Sequence, residues 1–565
     1  MEKVWYDSYP EGVPHEIDVQ RYHSIGALFD ECVERYAAHP AYINMGVALS
    51  YAELDRLAAA FGAYLQHELK LPRGARVALM MPNLLQYPVA LFGALRAGYT
   101  VVNVNPMYTV RELTHQLGDA GAEAIVILEN FAHTLEKASS KVRVPHVIVT
   151  SVGDLLGVPR KWLVNFGVRH VRRMVPAWSL PDAVRWGDAM DRGARHTLTP
   201  VDVGRDDAAF LQYTGGTTGP AKGAVLSHGN ILANLEQAYA WIGGSLHETK
   251  ETIITALPLY HIFSLTANCL TFFRLGAANV LITNPRDIPA FVKELGRHRF
   301  TAITGVNTLF SALLNNDAFA RLDFSSLKVA LGGGMPVRKS VAERWLEITG
   351  VPLVEAYGLT ETSPAVSINP LDQREFTQSI GLPVPSTDIS IRDDEGRELG
   401  FDEPGELCIR GPQVMREYWN RPEETQKSFT EDGFFRSGDI ATMDERGFLR
   451  IVDRKKDLIL VSGFNVIPNE VEEVITSHPG VLEAAAVGVP DAHSGEMVKA
   501  FVVRKDASLT AEDIIAHCRK ELTAYKVPHA VAFRDELPKS NVGKILRRKL
   551  RDEDAGQGEN KEGNK

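Results

Sequence analysis

The sequence predicts an α/β protein: a large N-terminal body of doubly wound α/β subdomains with a β-rich subdomain, then a small α+β C-terminal unit. Three observations carry this. Short apolar runs alternate with amphipathic segments through the first third and again near Phe300, the pattern of a parallel sheet covered on both faces. From about Glu375 the composition turns to β and turn residues. Beyond the polar break DRKKD, Asp453 to Asp457, a second and smaller α/β pattern begins.

The elements follow in order. Ile25, Leu28, Phe29, Cys32, Val33 and Tyr36 keep the spacing of one helical face. A second helix opens at Ser50, with Glu53 three residues on as a capping box, and buries Leu54, Leu57, Phe61 and Leu65. Then come strand RVALMM (76–81), helix LLQYPVALFGALRAG (84–98), strand YTVVNV (99–104), helix VRELTHQLGDAG (110–121) and strand AIVIL (124–128). Further on, FTAITGV, LKVALGGG and VPLVEAYG read as strand ends feeding Gly-rich loops, and ligands bind at such carboxyl ends in doubly wound sheets. Asp432–Gly433 and Arg446–Gly447 mark turns between aromatic and β-branched runs, so hairpins are expected. After Asp453 the pattern gives helix 468–480, strands 484–489 and 499–505, helix 510–522 capped by Thr510 and Asp513, and strand 530–534. The Gly- and charge-rich stretch 551–565 is expected to be disordered.

Composition narrows the function classes. The chain has 565 residues, nearly four domains' worth at roughly 150 residues each. Sixty-one basic against 71 acidic residues leave a net charge of −10, which argues against a nucleic-acid coat. Cys32, Cys269, Cys408 and Cys518 lie far apart with no CxxC, so a reducing cytoplasmic compartment fits. The N-terminus MEKVWYDSYPEG lacks the apolar core of a signal peptide. No run reaches the roughly 18 apolar residues of a membrane span; the most apolar region is broken by Asn83, Gln86, Arg96 and two prolines.

The densest motif is YTGGTTGPAKGA, from Tyr213 to Ala224. Glycines let backbone N–H groups approach phosphate oxygens, threonines add hydroxyl donors and Lys222 adds positive charge. It departs from a Walker A loop, because Gly223 follows Lys222 where a Mg²⁺-ligating Ser or Thr would stand. Four further strings are bland singly: YGLTETS with Glu361, SGD with Asp439, DRKKD, and PKSNVGKILRR with Lys544.

Their order, YTGGTTGxAKG, LPLYHIF, GGGMP, YGLTE, SGD, DRKKD and PKSNVGK, closely resembles the adenylate-forming (acyl-activating) enzyme superfamily, nearly end to end. Within it, DGFFRSGDIATMDERGFLRIVDRKK resembles the characteristic segment of fatty acyl-CoA synthetases. The resemblance implies a body at 1–453 that binds ATP and fatty acid, and a mobile lid at 454–550 carrying a catalytic lysine. It implies that ATP converts a long-chain fatty acid to an acyl-adenylate with release of pyrophosphate. Coenzyme A then displaces AMP, in the service of fatty acid uptake and β-oxidation.

Site roles follow from the same resemblance. Lys544 bridges carboxylate and α-phosphate, and His261 lies near the reacting carboxylate. Tyr213, Thr214, Gly215, Gly216, Thr217, Thr218, Gly219 and Lys222 hold the β- and γ-phosphates. Glu361 and Thr214 hold Mg²⁺. Tyr357, beside Gly358, stacks on adenine; Gly334 and its neighbours line the adenine or acyl pocket; Thr360 meets the α-phosphate. Asp439, aided by Arg454, takes the ribose hydroxyls, Asp453 is the hinge, and Gly463 keeps the pantetheine tunnel open. Phe263 and Leu265 stand where some relatives carry a gating tryptophan. Homodimers are the common assembly in this family.

Rival readings are a fatty acyl-AMP ligase, a medium-chain acyl-CoA synthetase and a non-catalytic fatty-acid-binding protein. Residues 155–181 hold Arg160, Lys161, Arg169, Arg172 and Arg173 with no Asp or Glu, and Trp162, Phe166, Met174 and Trp178 among them. Such a patch suits either peripheral contact with the inner membrane or an ordinary surface hairpin.

Overall fold

Strands buried on both faces need helices above and below, and the alternating pattern supplies them. The structure, a computed structural model, describes residues 3–214, 221–454, 457–461, 464–491, 495–540, 543 and 545–562. Two large, mainly parallel sheets form the body. The eight-stranded sheet runs parallel from Ala208–Thr214 through Thr100–Asn103, Arg76–Met80, Ala124–Leu128 and His146–Thr150 to Val184–Arg185. Antiparallel Lys222–Ser227 and Glu417–Tyr418 close its other edge. The nine-stranded sheet is parallel from Pro40–Asn44 through Ala278–Leu281, Thr252–Thr255, Ala302–Gly305 and Val329–Gly332 to Leu353–Gly358. Antiparallel strands finish it at both ends.

The expected β-rich subdomain is a four-stranded antiparallel sheet of Asp388–Arg392, Gly405–Arg410, Phe435–Met443 and Leu449–Arg454. In the hairpin joining its last two strands Gly447 has φ +85°, and a Cβ there would lie 2.4 Å from the Trp5 Cβ. The C-terminal unit is a five-stranded sheet carrying helices Pro468–Ser477 and Ala511–Glu521.

Local chemistry explains the helix starts. Capping boxes stand at Ser50/Glu53 and Thr510/Asp513, as the sequence predicts, and at Thr109/Glu112 and Ser227/Asn230. The most apolar segment becomes helix Gln86–Arg96, enclosed by the main core. The polar residues that interrupt it are clamps. Asn83 Nδ2 donates to the Thr255 and Leu257 carbonyls while its Oδ1 accepts from Leu259 N, tying this segment to the nine-stranded sheet. Gln86 donates to Thr150 Oγ1 and the Ser151 carbonyl, tying it to the other sheet.

One expectation needs correction. Of the stretch 551–565, read as disordered, residues 551–562 are helical as part of Arg547–Glu562, and 563–565 lie outside the described residues. Composition missed its anchors: Leu550 is fully buried, Arg551 meets Asp457 at 2.7 Å, and Asp554 pairs with Lys499 at 2.5 Å. The basic-aromatic stretch folds as helix Arg160–Phe166 continued by a wide turn at Gly167–Val171, so it is a helix and not a hairpin.

Candidate active site

Parallel neighbours Ala302–Gly305, Val329–Gly332 and Leu353–Gly358 bring the loops at their carboxyl ends side by side. The turn Thr360–Thr362 packs against the ends of Ala208–Thr214 and Lys222–Ser227, which pair so that Thr214 faces Lys222. The two sheets, the small β-sheet and the C-terminal unit thus share one cavity of about 2650 Å³. Thr214, Lys222, His261, Gly334, Tyr357, Gly358, Thr360, Glu361 and Asp439 all line it.

The charged and aromatic groups there already have partners. Asp439, 3% exposed, accepts a 2.6 Å bond from the Tyr357 hydroxyl and sits across the hairpin from Arg454. The Tyr418 hydroxyl donates to Glu361 Oε1 at 2.6 Å, and burial beside that carboxylate raises the Tyr418 pKa. Lys222 forms an ion pair with Glu424 and lies 5.2 Å from the Tyr418 ring centroid. Tyr213 turns its hydroxyl to Asp119 at 2.7 Å, where burial and that carboxylate raise its pKa, and so it braces the strand. Asp119 also pairs with Arg421 at 2.6 Å.

Close approach fixes the glycines. A Cβ on Gly358 would lie 2.1 Å from the Pro364 carbonyl oxygen, and Gly334 adopts φ +76°. At Gly333 a Cβ would meet the Phe263 ring at 3.1 Å, so Phe263 lies flush against the Gly-rich loop. His261 accepts the Phe263 N–H at Nδ1, 3.3 Å away. Glu355 accepts the Val337 N–H at 2.8 Å and so holds the far side of the same loop.

From these polar loops the cavity also extends down between the sheet and helix His228–Ile242, along Leu331, Val329, Ile253 and Phe272. Val329 opens its strand and Gly333 follows it, so this apolar limb is about 13 Å long by strand rise.

Lys544, Gly463 and Gly215 to Gly219 lie outside the described residues. Their flanks are placed. Gly543 adopts φ +82°, and a Cβ there would lie 2.6 Å from Thr308 Oγ1, so Gly543 itself lies against helix Asn307–Leu314. Asp453, 1% exposed, accepts the Asn469 N–H at 3.1 Å and faces Arg547, which also meets Asp457 and Glu472.

Sequence reasoning missed Asp119, Tyr418, Arg421, Glu424 and Arg547. The first four pair with Tyr213, Glu361 and Lys222 or with one another, and only the run EYWNRPEET, an aromatic, basic and acidic mixture, signalled three of them. Among the described residues no three His, Cys, Asp or Glu side chains gather as a metal cage. The donor set nonetheless fits Mg²⁺ carried by a nucleotide. Glu361 and Thr214 offer hard oxygens, and phosphates and water would supply the rest.

Comparison with known proteins agrees with this geometry. Residues 29–419 match the AMP-binding enzyme family, and residues 470–544 match the AMP-binding enzyme C-terminal domain. The chain is 60% identical over 561 residues to the long-chain-fatty-acid–CoA ligase of Escherichia coli O157:H7, covering 99% of this chain and all of that one. It is 55% identical to the Haemophilus influenzae protein of the same name, covering 98% and 99%. Among solved structures, ATP-bound MatB from Rhodopseudomonas palustris superposes with a TM-score of 0.79 at 27% identity, covering 94% of this chain and 98% of that one. With one family model spanning most of the body and the other the C-terminal unit, the chain belongs to the AMP-binding enzymes, the adenylate-forming superfamily.

Proposed function

We propose that this chain is a long-chain-fatty-acid–CoA ligase that works in two steps at one cavity. The carrying observation is the shape of that cavity: polar nucleotide-facing groups at one end and a buried apolar limb at the other, meeting at Gly333, Phe263 and His261. The 60% full-length identity to a ligase of that name supports the same substrate class.

A carboxylate is a poor electrophile, so ATP first activates it. The carboxylate oxygen attacks the α-phosphate, an acyl-adenylate forms and pyrophosphate leaves. Two anions meet in that step, so the residues beside them must carry positive charge or hydrogen-bond donors. Lys544 takes this task, bridging carboxylate and α-phosphate, with Thr360 on the α-phosphate and His261 beside the carboxylate. Lys222 and the loop from Tyr213 through Thr214, Gly215, Gly216, Thr217, Thr218 and Gly219 cradle the outgoing phosphates. Glu361 and Thr214 hold Mg²⁺, which offsets phosphate charge when bound.

Asp439, with Arg454, takes the ribose hydroxyls in exchange for its present bond to Tyr357, whose ring lies against adenine beside Gly358 and Gly334. The lid, 454–550, then turns about Asp453 and withdraws Lys544. The thiol of CoA, entering past Gly463, attacks the acyl carbon; the thioester forms and AMP leaves. Peripheral contact with the inner membrane delivers the fatty acid, and the working assembly is a homodimer, which light scattering tests.

Enzyme given ATP, Mg²⁺, CoA and fatty acids of medium to long chain should form acyl-CoA with one AMP and one pyrophosphate each, with turnover rising toward long chains. Acyl-AMP as the sole product despite free CoA would instead mark a fatty acyl-AMP ligase, and a medium-chain optimum would mark a medium-chain synthetase.

A further inference from the structure

Twelve large apolar side chains are more than a third exposed among the described residues. Six of them, Val158, Trp162, Leu163, Phe166, Val171 and Met174, fall within seventeen consecutive positions. Single exposed hydrophobics are ordinary, but a contiguous group marks a surface that is covered in use.

The segment is held firmly from beneath. Val164 and Val168 pack on the main core, Asn165 Oδ1 accepts the Gly153 N–H at 2.7 Å, and Arg160 donates to the Gly46 carbonyl at 2.8 Å. Arg169 pairs with the buried carboxylate of Glu129. With the inner face fixed, helical geometry sends Trp162, Leu163 and Phe166 outward, 69%, 69% and 62% exposed. Exposed Arg172 and Arg173 follow at the end of the wide turn. Met45, 39% exposed, adjoins the Gly46 carbonyl that receives Arg160 and extends the same apolar ledge.

We propose that this ledge is the surface by which the protein docks on an anionic phospholipid bilayer. The proposal rests on the reading above that the enzyme meets the membrane, and it assigns the face. Charge selects the occupant. The chain as a whole carries −10 and is repelled by an anionic surface, whereas residues 155–181 bear five cations and no Asp or Glu; Lys161 and Arg169 pair with Asp154 and Glu129 beneath, and exposed Arg172 and Arg173 carry the outward charge. A symmetric pairing of two copies through the ledge would set Arg172 and Arg173 against their own copies, which like-charge repulsion disfavours. A bilayer takes both components: the arginines meet phosphates, and Trp162, Leu163 and Phe166 enter the headgroup–acyl boundary.

Flotation of the full-length enzyme with phosphatidylcholine vesicles, with and without phosphatidylglycerol, tests this. Wild type should float with the anionic vesicles only. Trp162→Ser/Phe166→Ser and, separately, Arg172→Glu/Arg173→Glu should each lower the bound fraction roughly tenfold. Turnover of octanoate, which needs no bilayer, should stay at the wild-type value in both variants and so report intact folding. If wild type fails to float, the membrane reading itself falls. If wild type floats and both variants float equally well, membrane contact survives and the ledge assignment is overturned. If the apolar variant turns a dimer into a monomer by light scattering, the ledge is a subunit interface and the proposal is wrong.

Discussion

The Lys222 end of the cavity and the cluster around Arg547 are both built from charged pairs, yet they differ in burial. Lys222 and Glu424 are 32% and 40% exposed, and Glu424 also meets the more exposed Lys427 at 3.8 Å. Around Arg547, itself 15% exposed, stand three carboxylates, of which Asp453 is 1%, Asp457 11% and Glu472 15% exposed. Exposed pairs are worth little and exchange easily, whereas a buried cation facing several carboxylates is costly to disturb. Loose pairs therefore suit the role proposed for this end, where ATP would displace protein partners. The tight cluster suits a place where geometry must be held, around Asp453, the proposed hinge, and three residues from Lys544.

The comparison breaks most sharply at the lysine turn. Lys544→Ala should slow acyl-adenylate formation by about 10³-fold while leaving CoA attack on supplied acyl-adenylate near wild type. Pyrophosphate release and thioester formation measured separately decide it; equal loss in both steps would remove Lys544 from the first. Arg547→Gln acts next, through position. It leaves Asp453, Asp457 and Glu472 without their shared cation, and a displacement of about 1 Å at the lysine turn costs roughly 10² in adenylation. Arg547→Lys should recover part of that rate, because it restores the charge without the fork.

At the loose end the effects are small and of opposite sign. Glu424→Gln removes the competitor for Lys222, so KM for ATP should fall roughly twofold to fivefold with kcat unchanged. The gain should shrink as salt is added, since exposed pairs are screened. A KM that rises instead would show that Glu424 positions Lys222 for the nucleotide.

The same contrast explains how much was legible in the sequence. Helices announced by local chemistry, such as those opening at Ser50 and Thr510, were readable because their caps lie within four residues. Lys222, Tyr357 and Glu361 were legible because each sits in a motif at a strand end, and Asp439 because SGD stands out within strand Phe435–Met443; the fold brings all four to line one cavity. Their partners were not. Asp119 lies 94 positions from Tyr213, Tyr418 lies 57 from Glu361, and Glu424 lies 202 from Lys222. No local pattern marks a lone carboxylate or tyrosine that only tertiary packing brings into contact. The C-terminal helix was misread for the same reason: Lys499 and Asp457, which anchor it, belong to distant elements.

Glu355 gives the smallest effect on turnover and the clearest on stability. It is a buried carboxyl within the cavity wall whose Oε1 accepts the Val337 N–H, and burial pushes its pKa up to about 8 from the ordinary 4.5 while that bond opposes the rise. Between those values the unfolded chain has released a proton that the folded protein keeps. Stability contributed at this site therefore falls as pH rises from about 5 to 8 and levels off above. Gln cannot titrate but retains an acceptor for Val337, so Glu355→Gln should leave kcat near wild type and gain thermal stability over wild type progressively across that window. Glu355→Ala removes the acceptor, leaves a buried N–H unpaired, and should cost about 1–3 kcal/mol at pH 5, where wild type carries no charge to lose. Melting curves of the three proteins from pH 5 to 8 separate the possibilities. If wild type and the Gln variant run parallel throughout, the carboxyl is ionised at all those pH values and holds the Gly-rich loop as an anion.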